Sequence, residues 1–289
     1  MLWIPFALFS AIVLASRRVY EKNLTKSFGN FTMGFVVQSF SLLPTLLLFF
    51  FLPIPKDFVN LPWQFWWPLL IIWFVLYPIQ TYFMYRALRE GELSHVTPIM
   101  ALLPVFNTIS SFLIIGEAPT IFGFIGIATI VCGTYILLTD GIKKDTGEKY
   151  NKAVLYMIIA TFCVAIGSTL DKVSISVSTP VFYSFMNTLG ASIIFLILMY
   201  VYKQNNELVK VKNMILPLSL LGIFQALSYT SSMFAFSYGP TSYVLAIRSS
   251  SFLFAALLAI FLVKEKLSFR KILSFILFLI GIIFITIIK

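Results

Sequence analysis

The chain has 289 residues, 60% of them hydrophobic and only 11% charged, with a mean hydropathy of +0.96. A soluble domain must still face water and cannot carry that proportion of apolar residues. The net charge of +10 does not mark a nucleic-acid binder, because the basic residues cluster between apolar stretches, where they set topology and meet anionic headgroups.

The start, Met1-Leu2-Trp3-Ile4-Pro5, has no basic n-region and reads as the beginning of a first span rather than a cleaved signal. Charge-free runs such as Phe58–Tyr85, Ala118–Thr139 and Asn213–Ile247 reach or exceed the ~20 residues that cross a bilayer as a helix. Such runs are too long and continuous for barrel strands. The reading is an all-α integral membrane protein with ten transmembrane helices, near 3–22, 31–52, 66–87, 94–115, 119–138, 152–171, 179–202, 214–237, 242–262 and 268–288. Between the second and third spans, Pro53–Trp67 reads as an interfacial connection, with Trp63, Trp66 and Trp67 at headgroup level. In the fourth span, Pro98 and Pro104 predict a kink, whereas the second half has Ala246 and Phe252 there, so the halves are expected to bend differently. Cys132 and Cys163 lie in apolar helices and read as small hydrophobes, not a disulfide.

The longest polar connection, Thr139–Lys152, follows the fifth span and divides the chain into a first five-helix repeat at 1–140, a linker at 141–151 and a second repeat at 152–289. At a constant offset of 148, Ala87, Gly91, Ser94, Val96, Phe106, Glu117 and Gly133 recur as Ala235, Gly239, Ser242, Val244, Phe254, Glu265 and Gly281. Glu21-Lys22 and Asp171-Lys172 match at an offset of 150, which a small indel explains. Five helices is an odd number, so tandem copies enter the membrane from opposite faces and the two five-helix repeats are inverted. The odd-numbered loops carry 17 of the 21 basic residues, which puts them in the cytoplasm and both termini outside.

These features resemble the drug/metabolite transporter superfamily, specifically proteins with two EamA-like domains. The resemblance covers essentially the whole chain. It rests on Ala87-Leu88 through Gly91-Glu92-Leu93-Ser94, on Ile114-Ile115-Gly116-Glu117-Ala118-Pro119-Thr120, and on their second-half counterparts Ala235-Phe236 through Gly239-Pro240-Thr241-Ser242 and Lys264-Glu265-Lys266-Leu267-Ser268. It implies ten helices, an inverted repeat and a central cavity that moves amino acids, metabolites or drugs. Members generally keep both termini in the cytoplasm, the reverse of the charge count here. The small cation/proton antiporters of the superfamily carry a Glu in mid first helix, and residues 3–16 contain no acid.

Arg248 is the most informative charge. It lies two turns into the ninth span, and a charge there costs roughly 3 kcal/mol unless a cavity or partner receives it. A cavity-facing guanidinium suits a substrate carboxylate or phosphate; the alternative is snorkelling to the surface. Tyr82 with Tyr85, and Gln225 with Tyr229, share helix faces on the third and eighth spans and lead the other substrate-binding candidates, Gln80, Asn107 and Tyr243. Buried polar groups in spans also serve as interhelical glue. Glu21, Lys22, Asp171 and Lys172 are helix-end charges, with gating as the alternative role. Glu117 and Glu265 are expected to cap the helix that follows each of them. His95 has no second nitrogen or thiolate beside it, so no metal site is expected, and no cofactor.

The function expected is a secondary transporter moving a small organic metabolite, amino-acid-like or an organic anion, by alternating access across the plasma (inner) membrane. Alternatives are a multidrug or cationic-compound exporter and, further off, an integral membrane lipid-modifying enzyme. The expected partners are the solute and membrane lipid, with a homodimer as an option.

Overall fold

In a computed structural model, which describes residues 2–24, 28–52, 55, 60–90, 96–140, 148–263 and 268–287, the chain forms ten helices long and apolar enough to span a bilayer. They are α1 (Trp3–Glu21), α2 (Asn30–Phe50), α3 (Trp63–Glu90), α4 (Thr97–Ile115), α5 (Ile121–Leu138), α6 (Lys152–Ile175), α7 (Pro180–Val201), α8 (Asn205–Tyr238), α9 (Thr241–Leu258) and α10 (Phe269–Thr286). The ten expected spans are all present, with ends shifted by a few residues except at α8, which begins at Asn205 instead of near 214.

Packing follows an approximate twofold. α1 packs along α8 and α9, and α6 packs along α3 and α4, while α2 meets α7 and α5 meets α10. Exchanging the halves maps the α1 contacts onto the α6 contacts and the other two onto themselves, as inverted repeats require, while α2 also packs along α8 with only a slight counterpart between α7 and α3. The α5–α10 seam shows it at atomic scale. A Cβ on Gly126 would strike the Gly281 carbonyl, and the image contact sets Gly133 against the Ser274 carbonyl. Close approach is what holds these helices together, since lipid gives no hydrophobic drive between them. The α1–α8 seam uses buried Ala7 and Ala11 together with Ser10, which hydrogen-bonds the Ser228 carbonyl at 2.8 Å and Ser232 Oγ at 2.7 Å. Phe50, Phe51, Leu113, Ile121, Leu216 and Phe269 are exposed, as lipid-facing side chains should be.

Two irregularities shape the interior. In α3, a π-helical stretch at Ile72–Leu76 directly precedes Tyr77-Pro78. Proline has no N–H and its ring crowds the preceding turn, and the widened turn absorbs both effects. In α4, Thr97–Leu102 is a 3-10 helix that becomes an α-helix at Leu103-Pro104. α9 is interrupted at the equivalent point, running Thr241–Arg248 and resuming at Ser251. Both halves thus change conformation at matching positions but in different ways, with a 3-10 helix before the joint in α4 and an α-helix before it in α9. The second half breaks at Ser249-Ser250-Ser251, where the Ser249 hydroxyl donates to the Leu245 carbonyl at 2.9 Å. Serine side chains compete with the backbone ladder and make such a break affordable. Both cysteines are free thiols, Cys163 buried and Cys132 exposed.

Candidate functional site

Three connected volumes, of about 390, 140 and 420 Å³, occupy the interface between the halves, and Gln80 lines all three. The first is lined by Arg17, Glu21, Tyr77, Thr81 and Gln225. The smallest and deepest has Tyr77, Cys163, Gly167, Asp171, Tyr229 and Arg248 on its wall. The third adds Arg18, Met100 and Phe252. Glu21, Phe28 and Leu88, at the ends of α1 and α3 and the start of α2, border the mouth, so the cavity opens toward the odd-numbered loops.

Three arginines set its electrostatics. Arg17 donates to Gln225 Oε1 and pairs with Glu21 one turn along α1. Arg18 donates to Ser251 Oγ at 2.7 Å and lies 3.7 Å from the Phe252 ring centroid. Arg248 ends the first segment of α9, where the helix dipole favours a cation. It lines two of the volumes, its Nε is buried without a partner, and it makes no hydrogen bond or ion pair among the described residues. Snorkelling does not describe it, since it faces the cavity.

At the deep end a hydrogen-bonded chain runs from α3 through α7 to α6. Trp73 Nε1 donates to Asn187 Oδ1 at 2.9 Å, and the Asn187 amide donates to Tyr77 Oη at 2.9 Å and to Tyr229 Oη. Tyr183 and, at 3.5 Å, Tyr229 donate to Asp171 Oδ1. The π stretch sets Trp73 and Tyr77 four residues apart, on the face that meets Asn187.

On the opposite face, that of the even-numbered connections, the described residues close over the cavity. Gly116 takes a left-handed φ of +70° that ends α4, and its loop delivers Glu117 to the second half. Glu117 pairs with Lys172 and accepts from the Thr241 amide at 3.3 Å, and Lys172 also donates to the Gly239 carbonyl at 2.8 Å. Trp3 covers Gly239 and sits 6.2 Å from the Tyr243 ring, whose hydroxyl accepts from the Thr120 amide at 3.0 Å. Glu117 thus does cap a helix start, but that of α9 in the other repeat. α5 is capped by Thr120, which accepts from the Gly123 amide. Glu265, His95 and the Lys22 side chain lie outside the described residues.

Of the candidates read from sequence, Arg248, Gln80, Gln225 and Tyr229 meet at the cavity, and Glu21 and Asp171 join them. Lys172 turns from Asp171 to the seal. Tyr243 also belongs to the seal. Asn107 is buried between helices, donating to the Ala165 carbonyl at 3.0 Å and to Thr169 Oγ1 at 3.1 Å. Tyr82 and Tyr85 are not among the residues lining the three volumes; Tyr82 packs edge-on to Phe83 and 5.5 Å from the Arg86 guanidinium. Sequence reasoning missed Arg17 and Arg18 by assigning them to a loop, and missed Tyr77 and Thr81. The offset of 148 maps Gln225 and Tyr229 onto Tyr77 and Thr81, so that signal was present.

Two inverted five-helix halves around a cavity that three arginines enter, closed on one face and open on the other, define a membrane transporter architecture. The sequence pattern of the EamA-like transporter family matches residues 1–139 and again 151–287, and the chain belongs to that family. One solved structure, described only as the crystal structure of a protein, is similar with a TM-score of 0.79 over 98% of this chain and 97% of its own, at 13% identity, a likeness of fold alone. No curated protein matches.

Proposed function

We propose that the protein is a secondary transporter carrying a small organic solute with a carboxylate, amino-acid-like or an organic anion, by alternating access between its two halves. The observation that carries this reading is Arg248, at the break in α9, facing the cavity beside Arg17 and Arg18 and making no hydrogen bond or ion pair among the described residues. A guanidinium in a confined site binds carboxylate through paired N–H donors, and binding an anion there relieves the mutual repulsion of the arginines. Rocking of the halves would break the seal at Glu117 and Lys172 while closing the mouth at α1 and α3, with the odd-numbered loops in the cytoplasm of a plasma membrane.

The test is thermal stabilisation of the detergent-purified protein by a panel of amino acids, organic acids, nucleotides and hydrophobic cations, with Arg248→Gln beside the wild type. A ligand that binds only the folded state raises the melting point. A carboxylate that stabilises the wild type and not the variant supports the reading, and saturable uptake of it into proteoliposomes completes the case. Stabilisation by hydrophobic cations alone, indifferent to the substitution, would replace it with a cationic-compound exporter.

A further inference from the structure

Asp171 and Arg248 line the same pocket of about 140 Å³, yet no N–O distance between them is within the 4.0 Å of an ion pair. Opposite charges in a confined, weakly screened space attract strongly, so holding them apart needs other contacts. Asp171 has such contacts on one side only. Oδ1 accepts from Tyr183 and Tyr229, while Oδ2 has no hydrogen bond among the described residues. The Asn187 amide fixes the direction of these bonds. It donates to the Tyr229 and Tyr77 oxygens, so neither tyrosine O–H is used toward Asn187.

The repeat supplies the second observation. Asp171 is the counterpart of Glu21, and the first half provides Glu21 with its own cation, Arg17, four residues earlier. Four residues before Asp171 stands Gly167, also on the pocket wall. Packing does not require a glycine there. A Cβ would meet nothing closer than Leu76 Cδ1 at 3.7 Å, an ordinary contact. The second half thus keeps the acid and leaves space where the first half places a guanidinium.

We propose that this space receives the cation of the solute: Asp171 with the Tyr77 and Tyr229 rings forms an ammonium subsite, and the solute is a compact zwitterion whose carboxylate lies on Arg248. This rests on the carboxylate reading above and selects the aminated solutes within it. Aromatic faces beside a carboxylate suit an alkylammonium, which draws on both the charge and the ring quadrupoles.

Binding of matched pairs tests it in the full-length detergent-solubilised protein: alanine against lactate, leucine against 2-hydroxyisocaproate, γ-aminobutyrate against 4-hydroxybutyrate, with butylamine and phenethylamine as amines lacking a carboxylate. Wild type is expected to bind the aminated member of at least one pair tenfold or more tighter. Asp171→Asn should bring that ratio close to one, and Arg248→Gln should weaken both members together. Gly167→Lys supplies an internal ammonium and should also abolish the preference while carboxylates still bind, which keeps the question open to test if Asp171→Asn does not fold. Equal binding of all pairs by wild type, or a preference that survives both Asp171→Asn and Gly167→Lys, overturns the subsite. Asp171-dependent binding of the simple amines, with no carboxylate bound by any form, would leave the subsite standing and remove the carboxylate reading instead.

Discussion

Glu117→Gln removes one charge from the only contact on the sealed face where a carboxylate of the first half meets both an ammonium and a backbone amide of the second, among the described residues. The side chains of Lys172 and Glu117 are 21% and 29% exposed, between the surface and buried extremes. A surface pair contributes about 1 kcal/mol or less, and breaking a fully buried pair costs about 3–5 kcal/mol. About 2 kcal/mol is the intermediate figure, and it corresponds to roughly 30-fold in an equilibrium constant. The population open on that face should rise by up to that factor. Cys163 lines the deep pocket, so in a Cys132→Ser background it reports access. In oriented vesicles, an impermeant thiol reagent applied to the even-numbered face should label Cys163 faster in Glu117→Gln than in the parent. Labelling from the opposite face should slow. The charge swap, Glu117→Lys with Lys172→Glu, should restore only part of the seal, because a lysine cannot accept from Thr241. Unchanged labelling from the even-numbered face in a folded Glu117→Gln protein would refute the argument and leave closure to the Trp3 and Tyr243 rings.

A bound solute should protect Cys163 from alkylation in the Cys132→Ser protein, read as a slower rate at saturating ligand. Gly222→Ala sets a Cβ against the backbone of Phe40, whereas Gly167→Ala meets nothing nearer than Leu76 Cδ1 at 3.7 Å. The first should lower the melting point by the equivalent of about 1–3 kcal/mol and the second by clearly less. Asn187→Leu leaves Trp73 Nε1 without its acceptor and unties both tyrosines, so ligand affinity should fall more than stability does, measured by binding and thermal melts on the same sample. Replacing Ser249, Ser250 and Ser251 together with alanine should heal the break in α9 and cost transport while the protein still folds, read as flux against melting point.

The fold was legible because each of its causes is written in one dimension: span lengths, the offset of 148, and an odd helix count per copy. The site was legible only in part. Arg248, Gln80, Gln225 and Tyr229 could be found because a polar group in a long apolar run is conspicuous. Tyr82 and Tyr85 drew attention by chemistry, but α3 carries polar residues on more than one face between Tyr77 and Glu90, so spacing alone does not say which face meets the cavity. The π stretch at Ile72–Leu76 adds a register shift that no spacing rule supplies. Arg17 and Arg18 were hidden by their position. At the end of a span, positive-inside counting treats an arginine as a loop charge, although α1 turns both toward the interior. The break in α9 was missed for a related reason: proline announces a break, while three consecutive serines only permit one.

The fold is close to symmetric, and the chemistry inside it is not. Arg248 stands where the first half has Met100, Arg17 and Arg18 stand where the second has Gly167 and Ser168, and Gln225 and Tyr229 face Tyr77 and Thr81. Symmetric backbone contacts, such as Gly126 on Gly281 and Gly133 on Ser274, give the halves two equivalent ways to lean against each other. In the proposed alternating-access cycle, that equivalence would keep the free-energy gap between the two open states small enough for a bound solute to cross. Symmetric side chains would offer a dipolar solute two opposed and equal poses. Under the proposed function, guanidinium groups on α1 and α9 and the deep acid on α6 would select one pose and keep the same charges around the solute through the cycle.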